Sequence, residues 1–129
     1  MVQEKIKTLI DSAQIQRRVR NIAAQINRDF KGSEVVLVGV LKGSFMFMAD
    51  LSRHIDLPLK CDFLRVSSYG NSTQSRGVVR IEFDTTQPIK GENVILIEDI
   101  LDTGLTLKTI VNLLKDKKPR KLKTCVLLK

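Results

Sequence analysis

Two apolar rhythms alternate along the chain. Ile15, Val19, Ile22, Ala23, Ile26 and Phe30 recur three or four positions apart, which predicts an amphipathic helix over residues 11–30. Asp11 with Gln14 three positions on has the form of a capping box, and Gly32 stands where such a helix stops. Residues 34–41 (EVVLVGVL) then give a nearly unbroken apolar run, the pattern of a buried strand. Helical spacing returns over residues 44–54, with Phe45, Met48, Leu51 and Ile55 facing inward, Phe47 off that stripe and Met46 also assigned to the core. Residues 59–66 predict the next strand, so residues 34–66 form one βαβ unit, right-handed by default.

Residues 67–77 (SSYGNSTQSRG) interrupt the rhythm with four serines and two glycines. By composition this is a surface loop. The functional alternative is a flap that closes over a ligand, with Tyr69, the only tyrosine, as its notable side chain. Residues 78–83 alternate and predict an exposed strand, hairpin-paired with 59–66. Residues 93–98 predict a buried strand, 105–115 a helix with Leu107, Ile110, Val111 and Leu114 on one face, and 123–128 a further buried strand. Residues 93–128 thus form a second βαβ unit, and residues 1–10 an irregular or strand-like lead-in. The expected fold is α/β: a mainly parallel twisted sheet flanked by helices, with a flexible β-hairpin flap, in one domain over residues 1–129. Ligands on such sheets sit beyond the carboxyl ends of strands where loops diverge, here 41–44 and 98–106.

Composition narrows the class. The chain has 43% hydrophobic and 28% charged residues, no apolar run of bilayer length, and a polar start (MVQEKIKTLI) without a signal-peptide core. A cytoplasmic location is expected. Cys61 and Cys125 lie in apolar runs and read as buried thiols, not as a disulfide or zinc pair. The net charge of +8 favours an anionic partner. A solvated basic surface explains most of it, and one tyrosine with no tryptophan argues against stacking on single-stranded nucleic acid.

The chemistry concentrates in residues 94–107, VILIEDILDTGLTL. An apolar strand ends in Glu98 and Asp99, then Asp102, Thr103, Gly104 and Thr106 lead into a helix. Carboxylates accept hydrogen bonds from a diol and are hard ligands for magnesium. A glycine-containing turn at a helix start presents N–H groups to a phosphate. Residues 39–44 (GVLKGS) offer a second anion-binding turn but lack the P-loop pattern.

Residues 94–107, with VGVLKGSFMFMADL (38–51) and VSSYGNSTQSRG (66–77) in the same order, resemble the type I phosphoribosyltransferases, and within them the hypoxanthine-guanine branch. The resemblance spans nearly the whole chain. It implies magnesium-dependent transfer of 5-phosphoribose from phosphoribosyl pyrophosphate to N9 of a 6-oxopurine, in a homodimer or homotetramer. It implies that Glu98 and Asp99 hold the ribose hydroxyls, directly or through magnesium-bound water, and that Asp102 exchanges a proton at purine N7. Thr103, Gly104, Leu105 and Thr106 would wrap the 5′-phosphate. Leu41, Lys42 and Gly43 would bind pyrophosphate, with a cis peptide before the lysine. Ser68 and Tyr69 would belong to the flap, and Lys129 would read the purine 6-oxo group. Members of the family continue past the position of Lys129 into a hood that stacks on the base, so the resemblance also implies a shortened base-binding side. Two other readings stay open: a weakly active or inactive shortened form, and a phosphoribosyl-pyrophosphate-sensing regulator that binds nucleic acid.

Overall fold

The computed structural model describes residues 11–69, 78–100 and 105–128. Five strands form one sheet: β1 (Val35–Val40), β2 (Leu59–Tyr69), β3 (Val78–Phe83), β4 (Asn93–Ile100) and β5 (Lys121–Leu128). Their order is β3-β2-β1-β4-β5. β1 pairs in parallel with β2 and β4, β4 pairs in parallel with β5, and β3 runs antiparallel to β2. Three helices accompany the sheet: α1 (Ser12–Asp29), α2 (Phe45–Ser52) and α3 (Leu105–Asp116).

Strand alternation divides the core into two layers. Val35, Leu37, Ile95 and Ile97 pack with Val19, Ala23 and Ile26 of α1 and Phe47, Met48 and Leu51 of α2. Val36, Val38, Val94 and Leu96 point the other way and pack with Ile110 and Leu114 of α3. Because β1 and β4 are covered on both faces, their apolar runs are continuous. Burying each such side chain is worth about 1.5–3 kcal/mol.

The α1 capping box forms as the sequence predicts. Gln14 N donates to the Asp11 carboxylate at 2.8 Å, and Asp11 N donates to the Gln14 side-chain carbonyl at 3.0 Å. Gly32 follows the helix end with φ of 81°. Arg18, off the apolar stripe, has a role that periodicity did not reveal. Its Nε donates to the Leu127 carbonyl at 2.6 Å and its Nη2 to that of Val126 at 3.3 Å, tying α1 to the edge strand β5.

Five expectations are corrected. β5, expected as a buried strand, lies at the sheet edge and is buried only at Leu127. Phe45 and Met46 are exposed, at 53% and 62%, while Phe47 is buried. The α2 face that meets the sheet carries 47, 48 and 51, and the first turn projects past the end of β1. Cys61 is exposed on β2. Three strand spacings separate β2 from β5, roughly 14 Å in all, too far for Cys61 to reach Cys125. Residues 67–69 are not loop but the last residues of β2, paired with β3. β4 extends through Ile100, so Glu98 and Asp99 are strand residues. Residues 1–10 and 70–77, expected as lead-in and flap, lie outside the described residues.

Candidate functional site

The chain leaves β1 toward β2 on one side, and β4 returns on the other. The carboxyl ends of β1 and β4 therefore flank the point where the connections diverge, the usual ligand position in an open parallel sheet. The β1 end continues into a turn over Leu41, Lys42 and Gly43. The Leu41–Lys42 peptide is cis. Leu41 N donates to the Leu64 carbonyl of β2 at 2.8 Å, and Ser44 N to the Val40 carbonyl at 3.2 Å. Among the described residues, neither Lys42 nor Gly43 donates its N–H to a backbone carbonyl. Two such N–H groups side by side make an anion-binding concavity.

The β4 end supplies the acids. Asp99 lies on the same face as Ile95 and Ile97, under the turn. A Cβ placed on Gly43 would lie 2.9 Å and 3.1 Å from the two Asp99 carboxylate oxygens, so glycine is what allows the turn and the acid to approach. The Glu98 side chain folds back to accept from Asp99 N at 3.1 Å. Burial, and then the side-chain hydrogen bond and charge of Asp99, push Glu98 up to about 7 from 4.5, against the opposing donation from the Asp99 N–H. Asp99 itself has a further interaction in the structure.

α3 begins at Leu105, five positions after β4 ends. Its first-turn N–H groups have no intrahelical acceptor and carry the positive end of the helix dipole. Among the described residues no group of three or more acidic, histidine or cysteine side chains could hold a metal. Magnesium commonly takes one or two protein carboxylates plus substrate phosphates and waters, and Glu98 and Asp99 are the carboxylates at the end of β4.

Of the residues singled out from sequence, Leu41, Lys42, Gly43, Glu98 and Asp99 come together at the β1 and β4 ends. Ser68 and Tyr69 are backbone positions near the end of β2, and Leu105 and Thr106 are backbone positions in the first turn of α3. Asp102, Thr103, Gly104 and Lys129 lie outside the described residues. Sequence reasoning missed Asp62, which is buried at 6% exposure. Its carboxylate accepts from the N–H groups of Phe63, Thr86 and Gln87 at 2.8–3.1 Å and from the Thr86 hydroxyl at 3.2 Å, holding the turn before β4. An acid inside an apolar strand run was the available signal. A groove of about 330 Å³ between α1 and β5 includes none of the β1 or β4 end residues in its lining, which includes Arg18, Ile22, Phe30 and Cys125.

Five mostly parallel strands with flanking helices, ending in two acids on β4 with a main-chain turn against one of them, define an α/β protein of the phosphoribosyltransferase type. The Phosphoribosyl transferase domain profile matches residues 5–129. The chain belongs to that family. It is 43% identical over 122 residues to the hypoxanthine-guanine phosphoribosyltransferase of Streptococcus pneumoniae, covering 95% of this chain and 68% of that one. It is 46% identical over 127 residues to the enzyme of that name from Dictyostelium discoideum, covering 95% and 71%. The crystal structure of a hypoxanthine-guanine phosphoribosyltransferase from Bacillus anthracis, with a HEPES molecule in the active site, superposes with a TM-score of 0.90 at 47% identity, covering 95% of this chain and 73% of that one.

Proposed function

We propose that the protein is a purine-salvage enzyme of the cytoplasm, one phosphoribosyltransferase domain that moves 5-phosphoribose from phosphoribosyl pyrophosphate to N9 of hypoxanthine or guanine. The observation that carries the reading is the approach of Gly43 to the Asp99 carboxylate. It sets a main-chain anion turn directly beside a pair of acids, as a substrate with both a diphosphate and a diol requires. Family membership and the named relatives support the same reaction. No helix among the described residues is long and apolar enough to cross a membrane.

In this reading Lys42 and Gly43 present N–H groups to the diphosphate, and the Leu41 anchor to β2 holds the turn. Glu98 and Asp99 accept from the ribose hydroxyls. They are also the side chains that would hold Mg²⁺, which neutralises diphosphate charge when bound. Thr103, Gly104, Leu105 and Thr106 take the 5′-phosphate at the α3 start. The bond from ribose C1 to the pyrophosphate oxygen breaks as the bond to N9 forms, and the N7 proton passes to Asp102. Relatives acting on adenine, uracil or orotate generally lack an acid at that position, so Asp102 favours a 6-oxopurine. Ser68 and Tyr69 belong to the closing flap, and Lys129 reads the 6-oxo group. The exposed Phe45 and Met46 beside the turn suit contact with a second copy, in a homodimer or homotetramer.

The test offers phosphoribosyl pyrophosphate and magnesium with hypoxanthine, guanine, xanthine, adenine or uracil, and measures nucleotide formed. IMP or GMP is expected. Product from adenine or uracil alone, or no product from any base, would contradict the reading.

A further inference from the structure

Gly39 lies inside β1, an otherwise apolar strand, and a side chain there has no room. A Cβ would come within 2.7 Å of Met48 Sδ, 2.8 Å of Ser44 Oγ and 3.1 Å of Phe63 Cδ1. Contacts under about 3 Å force something to move. Met48 is an unbranched thioether that can re-pack. Ser44 cannot yield as easily. It is fully buried, its Oγ donates to the Val40 carbonyl at 2.7 Å, and its backbone N donates to the same carbonyl at 3.2 Å. Its own carbonyl accepts from Met48 N at 2.9 Å in α2.

The Ser44 hydroxyl is therefore not a helix cap. It closes the turn instead, clasping residue 44 back onto the last carbonyl of β1. Everything between those two points is Leu41, Lys42 and Gly43. The space left by the missing Gly39 side chain is what admits the hydroxyl. A displaced Ser44 would carry Gly43 and the rest of the turn with it.

We propose that Gly39 and Ser44 are a size-matched pair of positioning residues, whose combined volume sets the height of the 41–43 turn over Asp99 and so the affinity for the diphosphate group. This rests on the functional reading above, because it takes the turn as the diphosphate subsite. Neither residue touches substrate in that reading; both act through Lys42 and Gly43.

The experiment titrates magnesium pyrophosphate, and separately IMP, into the wild-type chain, Gly39→Ala, Ser44→Ala and the double variant, each below its melting temperature. Gly39→Ala is expected to weaken pyrophosphate about tenfold or more through misplacement of the turn. Ser44→Ala alone is expected to cost about two- to threefold. The double variant should bind like Ser44→Ala, because removing Oγ makes room for the new methyl, a coupling that independent sites do not show. IMP, which lacks a diphosphate, should bind all four proteins alike, which a general loss of structure would not allow. If Gly39→Ala does not fold, Ser44→Thr, which keeps the hydroxyl and adds a methyl, carries the test with about fivefold weaker pyrophosphate binding expected. Wild-type affinity in Gly39→Ala (or in Ser44→Thr where it replaces it), additive losses in the double variant, or equal losses for IMP would overturn the pairing alone. A wild-type chain that binds neither pyrophosphate nor IMP would overturn the functional reading, and the pairing with it.

Discussion

Gly43 and Asp99 stand so close that a single methyl on the glycine would come within 2.9 Å of a carboxylate oxygen. The two residues are 56 positions apart in sequence, one in the turn after β1 and one at the end of β4. Parallel pairing of those strands brings them together. Gly43→Ala should push the Asp99 carboxylate aside without opening the core, since the clash is with the tip of a side chain. Pyrophosphate affinity is expected to fall about tenfold or more, with the melting temperature within a few degrees of wild type. Isothermal titration and thermal denaturation together check this; a large stability loss with intact binding would contradict it.

Glu98 makes binding and stability respond oppositely to pH. Its acid is raised to about 7 from 4.5, chiefly by burial and then by Asp99. Between those values the folded chain holds a proton that the unfolded chain has released, so this group's stabilising contribution is full at low pH and lost as pH rises toward 7. In the proposed function the ionised carboxylate is the better ligand for magnesium and the better acceptor for the ribose hydroxyls, so binding should strengthen over the same range. Glu98→Gln should flatten both profiles. Melting curves and magnesium pyrophosphate titrations at several pH values measure them.

Asp62 is a structural acid, and its loss should not touch the site. Asp62→Ala strands the N–H groups of Thr86 and Gln87 that its carboxylate satisfies. Thr86 and Gln87 are exposed, so water takes over part of the lost hydrogen bonding, and a loss of about 1–2 kcal/mol is expected in urea denaturation. Pyrophosphate affinity of the folded fraction should stay at the wild-type value.

Phe45 and Met46 should matter for assembly. Sedimentation velocity is expected to show a dimer or larger species, and Met46→Lys should shift it toward monomer by placing a charge in the apolar contact. An unchanged distribution in the variant would move the interface elsewhere.

The sheet and its helices were legible because β1 and β4 are unbroken apolar runs and α1 and α3 keep a clean period of 3.6. The α1 capping box was legible for the same local reason. α2 was not, since with 45, 46, 47 and 48 all apolar the rhythm does not choose a face. Only the packing against Leu37 and Ile97 puts Phe47 and Met48 inside. The acids at the β4 end were visible as a motif, and the Lys42 turn as a second one. Their meeting at Gly43 was not, because it depends on strand order. Gly39 gave a signal that went unused: a glycine in an apolar strand marks a close approach.

The most direct measurement is an isothermal titration of phosphoribosyl pyrophosphate into the protein with and without magnesium, repeated with Asp99→Asn. Saturable binding at one site per chain is expected, strengthened by magnesium and weakened about tenfold or more in the variant. No binding to the wild-type chain, or equal binding to both proteins, would contradict the placement of the substrate between the 41–43 turn and the acids of β4.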